Sequence, residues 1–173
     1  MSEKVQIPPD LSPVELYSIA IRAEIEARDM YHRVGKKIEN EALKDRILFL
    51  ETEEEKHRKS LEDLYAKSFP DVELLLPENT FLPRIDIALS EESSIEEFFK
   101  IAMEWEEMSA KFYEDLSKRA ADPGSEAILI AFSATEWSHY HLVKAELEMV
   151  QAFPSYAKTK DFSPGEDFLH IGP

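Results

Sequence analysis

Two stretches, Glu54-Glu55-Lys56-His57 and Glu136-Trp137-Ser138-His139, constrain this chain more than any other feature. Each sets a carboxylate and an imidazole three residues apart, which on an α-helix makes them neighbours on one face. The two stretches lie 82 residues apart, and the same offset relates Glu24 to Glu106. A constellation of four glutamates and two histidines is therefore written twice. The offset reaches beyond these residues: Ser12-Pro13-Val14-Glu15 matches Ser94-Ile95-Glu96-Glu97, Ala20 maps to Ala102, Tyr31 to Tyr113 and Lys36 to Lys118. An inverted pair of helical hairpins, related by a pseudo-two-fold axis, satisfies both halves at once.

Taken in order, residues 1–11 read as an extended lead because Pro8 and Pro9 forbid a helix. Ser12 then offers an N-cap, Pro13 the first helical position and Glu15 the third, a capping box with a proline start. Leu16, Ile19, Ala20, Ala23, Ala27, Met30, Tyr31 and Val34 recur at helical spacing, predicting a helix over about 13–39. Asn40 caps a second, about 41–66, with Leu43, Ile47, Leu50, Leu61 and Leu64 on its apolar face. The connection is so short that the two must pair as a hairpin. From Asn40, Glu24 lies 16 residues back and Glu54 lies 14 forward. At 1.5 Å per residue these are about 24 and 21 Å, nearly one depth.

Residues 67–92 carry Pro70, Pro77 and Pro83 and no helical period, the mark of a long crossover. Extended chain at about 3.3 Å per residue spans a helix of about 39 Å with slack. The third helix, about 94–121, can then start at the far end and run parallel to the second. Asp122-Pro123 opens a fourth, about 123–152, ended by Pro154. The expectation is an all-α four-helix bundle over 1–153, followed by a non-helical tail, 154–173, whose apolar end Phe168-Leu169-His170-Ile171 docks on its own bundle or a neighbouring subunit.

A formal net charge of −16 argues against nucleic acid, whose binding needs Lys and Arg to neutralise phosphates, and against anionic membrane surfaces. No run approaches the ~18 apolar residues of a membrane span, and the start has no signal-peptide core. A cytoplasmic protein is the expectation. With no cysteine, thiolate zinc sites, thiol nucleophiles and cysteine-held iron are excluded.

Four carboxylates buried at one depth lose hydration and need compensation. Two divalent metals supply it, and carboxylates with imidazoles suit iron or manganese better than zinc. Glu24, Glu54, His57, Glu106, Glu136 and His139 are the candidate ligands. A register using Glu104 and Glu107 would instead give a Glu-x-x-Glu pair but break the repeat. Tyr31 and Tyr113 lie two turns beyond Glu24 and Glu106 on the same side, placed either to orient ligand carboxylates or to fill the core. Trp105 and Trp137 read as packing residues, and His32, His141 and His170 as surface residues.

The segments Ala20-x-x-x-Glu24-x-x-Ala27-x-x-Met30-Tyr31 and Ala102-x-x-x-Glu106-x-x-Ser109-x-x-Phe112-Tyr113, each followed by Glu-x-x-His, resemble the di-iron domain of the rubrerythrin family within the ferritin-like superfamily. The resemblance covers roughly residues 12–152. It implies that Glu54 and Glu136 bridge two iron ions, that Glu24 and Glu106 each bind one terminally, and that His57 and His139 complete one metal each. Manganese or a mixed pair would suit the same ligands. It also implies a homodimer or larger assembly and reduction of hydrogen peroxide or dioxygen, in protection against oxidative stress. The cysteine-ligated rubredoxin domain of full-length rubrerythrins has no counterpart, so electrons are expected from a separate donor protein. The further glutamate of those proteins falls on Met103, leaving the symmetric ligand set shared with bacterioferritin-like ferroxidase centres. Iron oxidation for storage, or a non-catalytic metal-binding bundle, are the alternatives to a redox enzyme.

Overall fold

The computed structural model describes residues 10–78, 80 and 93–161. Its frame is four α-helices: α1 (Pro13–Gly35), α2 (Glu41–Ser68), α3 (Ile95–Ser117) and α4 (Pro123–Ala152). Helices α1 and α2 form one antiparallel hairpin and α3 and α4 the other, in a ferritin-like four-helix bundle.

Each helix starts where a side chain takes over orphaned backbone amides. The Ser12 hydroxyl accepts from the Glu15 amide while the Glu15 carboxylate accepts from the Ser12 amide at 2.8 Å, and Ser94 and Glu97 repeat the box. Asn40 accepts from the Leu43 amide at 2.9 Å, and Asp122 from the Gly124 and Ser125 amides.

Two apolar clusters lie along the bundle, one on either side of the candidate ligands in every helix. One gathers Met30, Val34, Leu43, Ile47, Leu50, Phe98, Phe99, Trp105, Val143 and Leu147. The other gathers Leu16, Ile21, Leu61, Leu64, Tyr65, Phe112, Leu116 and Leu129. Helices α2 and α3 both pass from the first cluster to the second, so they run parallel, and the connection between them travels the length of the bundle. Residues 69–78 of that connection contain no helix; the Tyr65 hydroxyl donates to the Glu73 carbonyl at 3.1 Å and Leu74 packs on the second cluster. Residues 79 and 81–92 of the expected crossover lie outside the described residues.

Two helix ends and the start of the tail depart from expectation. Helix α1 stops at Gly35 instead of about 39, because the Glu39 and Asn40 amides donate to the Ala157 carbonyl, at 2.9 and 3.3 Å, and not along a helix. Helix α3 stops at Ser117 instead of about 121, where the Arg119 and Ala120 amides turn back three residues to Leu116 and Ser117. The tail, expected to lack helix, contains one 3-10 turn, Tyr156–Lys158. Tyr156 in that turn is anchored by a polar lock: its hydroxyl donates to Glu146 at 2.7 Å, and the exposed Arg46 donates to both that hydroxyl and the Glu146 carboxylate. The Phe168–Ile171 stretch expected to dock, with His170, lies outside the described residues. No helix among the described residues is long and apolar enough to cross a membrane.

Candidate metal centre

Six side chains meet between the two apolar clusters, Glu24 from α1, Glu54 and His57 from α2, Glu106 from α3, and Glu136 and His139 from α4. All six are buried, none more than 5% exposed. They form two overlapping groups, Glu24–Glu54–His57–Glu136 and Glu54–Glu106–Glu136–His139, each offering ligand atoms within 4.8 Å of one another. Glu54 and Glu136 belong to both groups. The two Glu-x-x-His elements thus face each other across the bundle, with the imidazole planes 27° apart and their centroids separated by 5.8 Å.

The atoms converge without satisfying one another. His57 Nδ1 lies 2.7 Å from Glu136 Oε1 and 3.6–3.7 Å from Glu54 and Glu24 oxygens. His139 Nδ1 lies 3.2 Å from Glu54 Oε1 and 3.7 Å from oxygens of Glu106 and Glu136. Despite these approaches, Glu24 Oε2, Glu54 Oε1, Glu106 Oε2, Glu136 Oε1, His57 Nδ1 and His139 Nδ1 are buried without a hydrogen-bond partner. At least one orphaned atom from each residue, converging in two overlapping groups, is what a ligand set presents and what a hydrogen-bonded network does not. Oxygen and nitrogen donors in this proportion, carrying four carboxylates, fit two divalent cations.

Burial and mutual charge perturb these groups strongly. Burial, and then the charge of Glu54, push the Glu24 carboxyl well above the usual carboxylate range, and burial with Glu54 and Glu136 does the same to Glu106. Burial alone would lower the His57 imidazole, but the nearby carboxylates of Glu136, Glu24 and Glu54 outweigh it and hold the group above the histidine range. His139 is likewise pushed up to about 12, burial being outweighed by Glu106, Glu136 and Glu54. Two positive ions would replace those protons.

The tyrosines reach the site, and they do so across the repeat. Tyr31 of α1 donates to Glu106 of α3, and Tyr113 of α3 donates to Glu24 of α1. Burial, and then the charge of the accepting glutamate, push both phenols well above their ordinary value, so they stay protonated donors. The bond fills the oxygen of each glutamate that is not offered to the centre, Glu106 Oε1 and Glu24 Oε1.

The other candidates fall elsewhere. Glu104 is exposed and Glu107 pairs with Lys111, so it is Glu106, 0% exposed, that enters the site. Met103 packs at the edge of the first cluster. Trp105 is buried in that cluster, and Trp137 packs half-buried on the Tyr140 ring. His32 and His141 are exposed, the former 3.1 Å from Glu51. Two site neighbours escaped the sequence reading: the Phe132 ring lies 4.5 Å from that of His57, and the Phe49 ring 6.2 Å from that of His139. Phe132 sits one helical turn before Glu136, a signal that could have found it; Phe49 is half exposed and carried none.

A family model described as Rubrerythrin matches residues 15–147. The fold is similar to the solved structure of a hypothetical protein from Pyrococcus furiosus, with 30% sequence identity and a TM-score of 0.78 over 88% of this chain and 98% of that one. No curated protein matches the chain.

Proposed function

The chain belongs to the rubrerythrin family, and on that premise we propose that its centre holds two iron ions and reduces hydrogen peroxide or dioxygen with electrons from a separate donor. The observation that carries this reading is the sharing of Glu54 and Glu136 between two otherwise separate groups, an arrangement that would hold two ions as a pair. Iron follows from the family, and manganese or a mixed pair would suit the same donors. In the reduced state the pair would supply two electrons to the bound oxidant.

The chain's own part is to position and exclude. Glu54 and Glu136, which belong to both groups, would hold the two ions together. Tyr31 and Tyr113 fix the terminal carboxylates Glu106 and Glu24, as outer hydrogen bonds commonly do for ligands. The apolar clusters on either side exclude bulk water from the reacting atoms. For peroxide, the O–O bond breaks as two electrons and two protons give two waters. An assembly of two or more chains and a protein reductant complete this reading.

Stopped-flow mixing of the reduced, iron-loaded protein with peroxide and with air-saturated buffer tests it. Oxidation much faster than that of free ferrous iron is expected; equal rates would overturn the redox assignment. Met103, in place of a seventh carboxylate, leaves a symmetric six-residue set, and this favours iron oxidation for storage as the second reading. Cage-sized particles carrying many iron atoms per chain would put that reading first.

A further inference from the structure

The six ligand candidates obey the repeat, but their surroundings do not. Both nitrogens of His139 are buried without a partner, whereas of His57 only Nδ1 is. His57 Nε2 is not among the buried orphaned atoms, so on this slightly exposed residue water can accept its proton. The rings beside the histidines differ in the same sense. Phe132 lies tilted against His57 at 4.5 Å and is itself held by Tyr113, at 5.5 Å, inside the second cluster. Phe49 stands edge-on to His139, at 88°, on the outer side of α2. Neither phenylalanine has an aromatic counterpart: 82 residues on from Phe49 is Ala131, and 82 back from Phe132 is Leu50.

An imidazole that binds a cation through Nδ1 carries its proton on Nε2 and needs an acceptor there. Ligand histidines nearly always have one, and losing it typically weakens metal affinity 10–100-fold. Resting on the di-metal reading above, we infer that the two metal positions are inequivalent. The position completed by His139 is the weaker, because its Nε2 is buried with no acceptor among the described residues and the Phe49 ring stands edge-on beside it. Phe49 is a positioning residue that acts through His139, and loading of the pair is ordered, the His57 side first.

Cobalt(II) reports the occupancy of each position through its visible absorption, independently of turnover. In the metal-free protein, His57→Gln leaves the His139 position complete and His139→Gln leaves the His57 position complete. The His57→Gln chain is expected to bind cobalt about 10–100-fold more weakly than the His139→Gln chain. Phe49→Ala, at a half-exposed site that the fold tolerates, admits water to His139. It should strengthen binding about 10-fold or more in the His57→Gln chain and leave the His139→Gln chain unchanged. In the otherwise intact chain the same substitution should strengthen only the second binding step, a result that does not depend on how well the histidine variants fold. Two ions bound with matched single-position affinities, or a Phe49→Ala effect on both positions alike, overturns the inequivalence and leaves the di-metal reading standing. A chain that binds no cobalt overturns both.

Discussion

The two hairpins carry the same ligands and hold themselves together differently. In the first, Arg28 of α1 donates to Glu55 of α2 at 3.0 Å, and Arg58 donates to the same carboxylate at 2.8 Å. The positions 82 residues on are Ala110, Trp137 and Tyr140, which cannot form an ionic tie; there two rings of α4 pack edge-to-face on each other, 5.6 Å apart. Leu64, buried in the second cluster, becomes Glu146, equally buried and held by Tyr156 and Arg46. Residues that face the centre answer to both hairpins, since each of the two groups draws on three helices. Residues that face outward answer only to their own neighbours, and any pairing of compatible shape serves. The six candidate ligands themselves keep the repeat, and divergence begins with the residues packed around them.

The largest test of that division removes the shared ligands. Glu54→Gln and Glu136→Gln should each abolish binding of both ions, a loss of at least about 100-fold, beyond the range seen for outer partners of a ligand. Glu24→Gln and Glu106→Gln should each cost one ion and leave the other. Metal per chain after equilibrium dialysis reads the difference. If a shared-ligand variant keeps one ion at native affinity, the two groups are independent sites and the hairpins are coupled by packing alone.

What the sequence disclosed follows the same line. Helix starts were legible because caps are local: Ser12 and Glu15 or Ser94 and Glu97 meet within one turn. The convergence of the six candidate ligands was legible because an i,i+3 pair fixes a shared face and the repeat fixes its mate. The end of α1 was not, because Ala157, over a hundred residues away, takes the amides of Glu39 and Asn40. Nor was the crossing of the tyrosines. Spacing placed Tyr31 on the side of Glu24, yet its hydroxyl goes to Glu106, since a side chain two turns along reaches a neighbouring helix more easily than its own. Phe49 and the Arg46–Glu146–Tyr156 lock lie on surfaces that no periodic pattern marks.

That crossing supports a second, smaller test. Tyr31→Phe and Tyr113→Phe keep the rings, each still packed edge-on to a phenylalanine, Phe98 at 6.0 Å and Phe132 at 5.5 Å. Each change leaves one buried carboxylate oxygen without its donor, costing about 1–3 kcal/mol. Urea unfolding of the metal-free chain should give two nearly equal losses if the halves are equivalent around the terminal glutamates. A loss for one tyrosine only would place the asymmetry inside the centre as well as around it.

The smallest effect concerns the ties outside the centre, and there pH separates the hairpins. Hydrogen bonds from Arg58, then Arg28, hold the Glu55 carboxyl well below its ordinary value of 4.5. A depressed folded-state value stabilises the fold above the unfolded value, and that contribution is lost as pH falls through the folded one. Because the network is partly exposed, its worth is about 0.5 kcal/mol. The stability gap between the native chain and Glu55→Gln should thus be constant from neutral pH down to about 5. Below the ordinary carboxylate value it should close steadily as Glu55 is protonated. The Trp137–Tyr140 contact involves no carboxylate, so the gap opened by Trp137→Leu should persist unchanged through the same acid range. Denaturant midpoints measured for the three chains at matched pH decide the matter. A Glu55→Gln gap that persists as flatly as the Trp137→Leu gap would mean that packing of the long side chains, and not their charge, ties α1 to α2.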